Sequence, residues 1–256
     1  MSAHVVLFCG PSITAAAVTR ELDADCRPPA GFGDVYAASR ERPNVIALID
    51  GVFERVPAVW HKEVLWALSQ GITVFGAASM GALRAVELAP FGMEGVGAIF
   101  EAFRDGRLTA DDEVAVLHAP RQSGYMPLSE ALVNIRATLD AAAADGIIGD
   151  ATRRRLVALA KSRHYPERSF DSMLADGLAD GMRRDELATF SDWLHLGRVD
   201  QKRDDAEALL RVISERVDAG VVRAPAANFA FEPTIFWHRL VELVEARRGR
   251  TNGRSS

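Results

Sequence analysis

The chain has little cysteine and almost no lysine. Its 256 residues include two cysteines, Cys9 and Cys26, too few for a disulfide scaffold and suited to a reducing cytoplasm. Lysine occurs only at positions 62, 161 and 202, so arginine supplies the other 27 of the 30 basic residues. Arginine keeps its proton inside proteins, whereas a desolvated lysine can lose it, so each lysine stands out as a candidate for proton chemistry. Long apolar runs are absent too. None approaches the roughly 18 residues of a transmembrane helix, and Val5-Val6-Leu7-Phe8 is too short for the apolar part of a signal peptide. The six histidines and two cysteines show no metal-ligand spacing, and no G-x-G-x-x-G or Walker pattern occurs. A net charge of −5 gives no general reason to expect nucleic acid or a membrane surface as partner. The expectation is a soluble cytoplasmic protein that needs no metal or cofactor.

What is present in the first half is an alternation of buried strands and helices. Residues 4–8, 45–49 and 72–75 are apolar runs without polar alternation, and 113–118 reads as a fourth strand. Helical patterns cover about 14–22 and 57–70, where Pro57 suits a first helical turn and Gly71 stops the helix. Residues 27–33 and 91–97, rich in Pro and Gly, read as loops. From Pro127 onward the spacing is helical at 128–144, 151–163, 171–180, 184–196, 200–219 and 234–248. The expected fold is α/β: a mostly parallel N-terminal sheet with flanking helices, then an all-helical C-terminal half. Residues 1–125 form the core carrying the site, 126–248 a helical region packing on it and open to partner docking, and 249–256 a disordered tail.

In an open parallel sheet, ligands bind beyond the carboxyl ends of the strands. Three such ends carry informative residues. Gly76-Ala77-Ala78-Ser79-Met80-Gly81 places a serine where a buried strand turns into a helix. A sharp turn exposes such a hydroxyl, and free N–H groups at the helix start can hold an oxyanion. The nucleophile-elbow pattern has Gly two before and two after the serine, and here Ala77 replaces the first. Tight packing of strand on helix explains the same small residues. Gly10-Pro11-Ser12 and Asp50-Gly51 lie at the other two ends, with a turn, an N-cap and a turn pair as their structural readings.

Lys62 is flanked at helical spacing by Ala58, Val59, Leu65 and Trp66, an apolar surround. Either it snorkels at the edge of that stripe or it is partly buried, and burial would favour the neutral amine that a general base needs. His118 can contribute to the cleft or be a satisfied core histidine. Asp111-Asp112-Glu113 reads as a solvated loop, and Cys9 as a buried structural thiol more than a reactive one.

Several ordered blocks resemble the TfuA family. They are Gly10-Pro11-Ser12, Pro28-Pro29-Ala30 with Gly33-Asp34-Val35, Ile49-Asp50-Gly51 with Phe53-Glu54, Trp60-His61-Lys62-Glu63, the segment from Gly76 to Ala85, and Phe91-Gly92-Met93 with Gly95-Val96-Gly97. Asp112 to Val116 and Ala131 to Arg136 extend the resemblance in order, and beyond residue 170 only Gln201-Lys202-Arg203-Asp204-Asp205-Ala206 is similar. The resemblance implies a partner of YcaO enzymes, which use ATP to activate a peptide amide oxygen during backbone thioamidation. It implies that the chain supplies sulfur by hydrolysing the C-terminal thiocarboxylate of a ThiS-like carrier, or else acts as a non-catalytic adaptor. It also implies a serine–lysine pair, matched here by Ser79 and Lys62, on a fold that is not a standard hydrolase. In that scheme the Met80 N–H, with Gly10 to Ser12, holds the oxyanion, and Asp50 is counted with them among the oxyanion or substrate-positioning residues. Arg84 steers the carrier's carboxyl end, and the 92–97 loop admits its Gly-Gly tail.

Overall fold

The structure, a computed structural model, describes residues 3–52, 57–222 and 227–252. Strands β1 (Val5–Phe8), β2 (Asp25–Arg27), β3 (Val45–Leu48), β4 (Thr73–Ala77) and β5 (Glu94–Val96) form one parallel sheet in the order β2-β1-β3-β4-β5. Every residue of β1, β3 and β4 is buried, which is why these strands read as continuous apolar runs. The first five helices are α1 (Ala15–Glu21), α2 (Asp34–Ser39), α3 (His61–Ser69), α4 (Met80–Leu88) and α5 (Ala98–Arg104). Six more follow: α6 (Leu132–Ala144), α7 (Asp150–Ser162), α8 (Phe170–Ala179), α9 (Arg184–Gly197), α10 (Gln201–Asp218) and α11 (Ile235–Asn252). None of the helices is long and apolar enough to cross a membrane, among the described residues.

The two faces of the sheet are covered by different parts of the chain. Val6, Phe8, Ile46, Leu48 and Val74 pack with Ala38 of α2, Val64 and Ala67 of α3, Ala85 of α4 and Ile99 of α5. Their alternates Val5, Leu7, Val45, Ala47 and Phe75 pack with Val18 of α1 and with Ala206, Leu209, Leu210 and Ile213 of α10. Thus α10 returns from the helical half to complete the α/β sandwich. Helices α6 to α9 share a core of their own around Leu132, Ile135, Leu156, Met173 and Phe190. Helix α11 lies on α2 and α3, where Trp237 meets Tyr36 edge-on at 5.1 Å between ring centroids and Trp66 at 5.5 Å.

Several elements differ from expectation. Residues 113–118 are not a strand: Asp111–Glu113 is a single 3-10 turn, and the segment then runs to an isolated bridge between His118 and Pro127. The edge strand is instead β5, inside the glycine-rich stretch read as a loop, with Gly76 opposite Gly95 and Ala77 opposite Val96. Glycine's low strand preference hides such a short edge strand. Strand β2 and helix α2 flank the expected 27–33 loop, in stretches to which the sequence pattern assigned no element. Helix α3 begins at His61, not Pro57, because Glu63 sets its start: its carboxylate accepts the N–H of Trp60 (2.9 Å) and that of Tyr36 (3.2 Å). Helix α11 continues to Asn252, into the expected tail. Residues 253–256 and Phe53-Glu54 lie outside the described residues.

Candidate functional site

The strand order reverses between β1 and β3, so the crevice opens where β1 runs into Gly10-Pro11-Ser12 and β3 into Asp50. Asp50 is 1% exposed and knits the two ends together. One carboxylate oxygen accepts the N–H of Gly10 (2.9 Å) and of Ser12 (3.0 Å), and the other accepts the Ser12 hydroxyl (2.7 Å). Three donors on one buried carboxylate make it the frame of the loop.

Ser79 lies at the next strand end. Ala78 precedes it in the left-handed region, φ +64°, a conformation that costs about 1–3 kcal/mol for a side-chain-bearing residue. Ser79 is the N-cap residue of α4, yet its side chain makes no capping bond, and its hydroxyl has no hydrogen-bond partner among the described residues. An N-cap serine ordinarily caps; this one is held away from that task. Of the first helical N–H groups, that of Gly81 goes to the Ile49 carbonyl and those of Ala82 and Leu83 to the Ser79 carbonyl, while that of Met80 has no acceptor among the described residues. The glycines that matter flank the turn at 76 and 81. A Cβ on Gly76 would stand 2.1 Å from the Gly81 carbonyl oxygen, and one on Gly81 would stand 1.7 Å from that of Leu48. Close approach of α4 to β3 and β4 demands both, whereas Ala77 fits inside the strand.

Ser79 and Asp50 line one small cavity of about 50 Å³ together with Pro11, Leu117, His118 and Tyr165. The His118 Nδ1 lies 2.8 Å from the Ala119 carbonyl oxygen, the position of a donor to that carbonyl. A larger cleft of about 710 Å³ adjoins it, sharing Val52 and Tyr165, and is lined by Met80, Leu83, Arg84, Asp111 and Asp112. Arg84 reaches that cleft while donating to the Val59 carbonyl (2.9 Å) and to Glu87 (2.6 Å). The cleft is large enough for an extended peptide end beside the Ser79 cavity.

The three lysines have separate fates. Lys62 is half-buried on α3; its ammonium donates to the Glu232 carbonyl and stands 5.3 Å from the centroid of the Phe231 ring. Both contacts suit a charged ammonium, and neither cavity at Ser79 includes Lys62 among its walls. Lys161 pairs with Asp112 (2.5 Å), which the fully buried Arg168 also holds (2.9 Å). Lys202, at the start of α10, is 3% exposed and donates one hydrogen bond, to the Val114 carbonyl (2.9 Å). Burial pushes its amine below the ordinary lysine range, opposed by the charges of Asp50, Asp200 and Glu130, Asp50 being the largest of the three. The scarcity of lysine marks Lys202 in the sequence, but its burial comes from the tertiary packing.

Other expectations resolve on structural grounds. The 92–97 loop is occupied: Gly97, φ +101°, seats the Asp205 carboxylate, which accepts the N–H groups of Ala98 (3.0 Å) and Ile99 (2.8 Å). A side chain from α10 therefore fills the space at Gly97, one end of the stretch read as a path for a Gly-Gly tail. Burial, with the Cys26 thiol and Asp50 adding to it, pushes the Cys9 thiol up and keeps it protonated, as a structural thiol should be. Among the described residues one group of potential metal ligands converges, the exposed His4, Asp25 and Glu41. The guanidinium of Arg27 pairs with both of its carboxylates (2.6 and 2.5 Å) and opposes a cation there.

Blocks far apart in the chain meet around the crevice. The Asn134 side-chain oxygen accepts the Lys202 N–H (3.1 Å), and its amide nitrogen donates to Glu130 (2.9 Å) and Asp200 (3.0 Å). Arg136 holds Glu113 through two hydrogen bonds (2.9 and 3.0 Å). Fold and crevice thus define a doubly wound α/β protein with a free serine at a strained strand–helix turn, backed by a buried aspartate. A family model described as TfuA-like protein matches residues 50–169, the stretch holding Asp50, Lys62, Ser79, Arg84 and His118, and over that stretch the chain is similar to that family. No curated protein matches the chain.

Proposed function

We propose that the protein hydrolyses the C-terminal thiocarboxylate of a ThiS-like sulfur carrier and so delivers sulfide for YcaO-dependent backbone thioamidation. The observation that carries this reading is the Ser79 hydroxyl, uncapped and unbonded beside a cavity at the sheet's carboxyl edge. Ser79 attacks the thiocarboxylate carbon, forming a C–O bond and an oxyanion. The free Met80 N–H is the first donor to that oxyanion, and the loop from Gly10 to Ser12, braced by Asp50, faces the same cavity through Pro11. The C–S bond breaks and the sulfur leaves as hydrosulfide, carrying the bonding electron pair and taking up the proton that the Ser79 hydroxyl gave up. Water then cleaves the acyl-serine ester and frees the carrier as a carboxylate. Arg84, on the wall of the adjoining cleft, attracts the anionic end of the carrier. For Lys62 to take the Ser79 proton, its ammonium would have to leave both the Glu232 carbonyl and the Phe231 ring.

The test is sulfide release from a thiocarboxylated carrier, followed by intact mass, with and without YcaO. Wild type is expected to release sulfide and Ser79→Ala to lose at least about 10³-fold of the rate. Undiminished release by a folded Ser79→Ala protein would end the reading. A second reading, a non-catalytic adaptor docking YcaO and the carrier, is favoured by apolar side chains exposed on α9 and α11: Leu196, Ile235 and Phe236 are 95%, 75% and 67% exposed. It predicts that Ser79→Ala still supports thioamidation at the normal rate.

A further inference from the structure

The Ser79 cavity is far smaller than the cleft beside it, about 50 Å³ against about 710 Å³. A single water needs about 10–15 Å³ of such space, so the cavity admits a few heavy atoms next to Ser79 and no peptide chain. Its walls come from separate segments, and each is held in place. Asp50 fixes Pro11 by accepting the N–H groups of Gly10 and Ser12 on either side of it. The Leu117 N–H donates to the Ser129 hydroxyl (2.8 Å), and the Leu117 carbonyl accepts the N–H of Leu128 (2.7 Å). Val116 packs against the core that holds Val6, Phe8 and Leu48. Tyr165, 8% exposed, reaches the cavity from the helical half, and its carbonyl accepts the N–H of the buried Arg168 (3.3 Å). The cavity therefore has a fixed size.

An acyl carbon attacked by Ser79 carries the substrate chain, the oxyanion and the leaving group. The chain needs the larger cleft, and the oxyanion needs the Met80 N–H. The small cavity is what remains for the leaving group. Pro11, Val52, Val116 and Leu117 give it apolar walls, and both carboxylate oxygens of Asp50 are already taken by Gly10 and Ser12. An oxygen placed there forgoes hydrogen bonds at a cost, whereas sulfur is polarizable and a weak acceptor and forgoes little. The walls thus sort the two heteroatoms of a thiocarboxylate, oxygen to the N–H and sulfur to the cavity. We propose that this cavity is a leaving-group pocket whose size Leu117 sets, so that terminal thiocarboxylates are cleaved and thioesters of bulky thiols are not. The assignment rests on the hydrolase reading. As the Ser79 oxygen bonds to the carbon, the C–S bond breaks toward the pocket. The sulfur keeps the bonding pair and takes up the serine proton, leaving as hydrosulfide, or as a thiol where it is alkylated. Leu117 sets the limit because it is half-buried and part of none of the packed cores, so its length trades against cavity space.

The test varies the leaving group alone. A ThiS-like carrier is prepared with a C-terminal thiocarboxylate, an S-methyl thioester or an S-benzyl thioester, and YcaO is present throughout. Conversion to the carboxylate is followed by intact mass for wild type, Leu117→Ala and Leu117→Phe, less the rate with Ser79→Ala. Urea unfolding checks that each variant folds. Both esters are neutral, and the benzyl thiolate is the better leaving group, so a slower benzyl ester reads size against the chemistry. Wild type is expected to convert the thiocarboxylate and the methyl ester, and the benzyl ester at least about 10-fold more slowly than the methyl. Leu117→Ala should narrow that gap about 10-fold, and Leu117→Phe should extend the penalty to the methyl ester. A purely structural role for Leu117 would lower all three rates together and leave their ratios alone. Wild type that cleaves the benzyl ester as fast as the methyl overturns the pocket and leaves the hydrolase reading standing. So does a methyl-to-benzyl ratio that neither folded Leu117 variant moves. Conversion of none of the three by wild type ends the hydrolase reading, and the pocket with it.

Discussion

Lys62 and Lys202 stand on helices that cover opposite faces of one sheet, and the two positions behave as opposites. Helix α3 packs through Val64, Ala67 and Leu68 on the face built from neighbouring helices, and leaves Lys62 at its rim against the 231–232 segment. Helix α10 packs through Ala206, Leu209 and Leu210 on the other face and carries Lys202 inside. The apolar neighbours of Lys62 suggest burial, but they belong to the flank of the stripe. The neighbours of Lys202 in sequence are mostly charged and suggest exposure, yet Val114 and Asn134 hold it and the side chain is buried. A lysine's environment is set by what packs over it, and helical periodicity reports only the helix.

Four experiments break or sharpen this contrast. The largest effect is expected at the shared centre of both faces. Gly81→Ala drives a methyl group into the Leu48 carbonyl and should destabilise by about 3 kcal/mol or more, as overpacking against immovable backbone does. Urea unfolding measures it, with Gly149→Ala, whose nearest neighbour would be 3.6 Å away, as a near-neutral comparison. Next, Leu209→Ala on α10 and Leu68→Ala on α3 should each cost about 2–5 kcal/mol in one shared cooperative transition. A small effect at Leu209, or a separate early transition, would mean that α10 is not integral to the sandwich.

Glu63 supplies the third. Burial raises its carboxyl from 4.5 to about 7, against the lowering effect of its backbone N–H donors. Between those values the folded protein holds a proton that the unfolded chain has released. Stability is therefore full below the unfolded value and falls by up to about 1.4 kcal/mol per pH unit as pH rises toward 7. Glu63→Gln should remove that slope in denaturation curves taken from pH 4.5 to 7.5. The smallest effect belongs to Lys62→Met, which loses one carbonyl contact and one ring contact at the rim. Its expected cost is under about 1 kcal/mol in thermal unfolding, and a much larger loss would place Lys62 in the fold's framework.

The sheet was legible because its central strands are buried on both faces, so β1, β3 and β4 appear as unbroken apolar runs. Strands β2 and β5 were not, being three residues each at the edges and, in β5, centred on a glycine. Residues 113–118 carry an apolar strand-like pattern, but the sheet ends at β5 and the segment instead walls the cavity. Within the site, the Ser79 turn and the facing of Gly10 to Ser12 with Asp50 followed from strand ends alone. That Gly97 is a seat for Asp205 was not readable, since glycine permits a close approach without naming what approaches.

The sequence by itself determined the parallel sheet, the serine at a strand–helix junction and the near absence of lysine, because these are properties of local runs and of composition. Only the tertiary structure decided that the Ser79 hydroxyl goes uncapped, that Asp50 frames the Gly10–Ser12 loop, and that Lys202 is enclosed while Lys62 is not. Those outcomes depend on which residues from remote segments share a small volume, and desolvation acts across that volume without regard to distance along the chain.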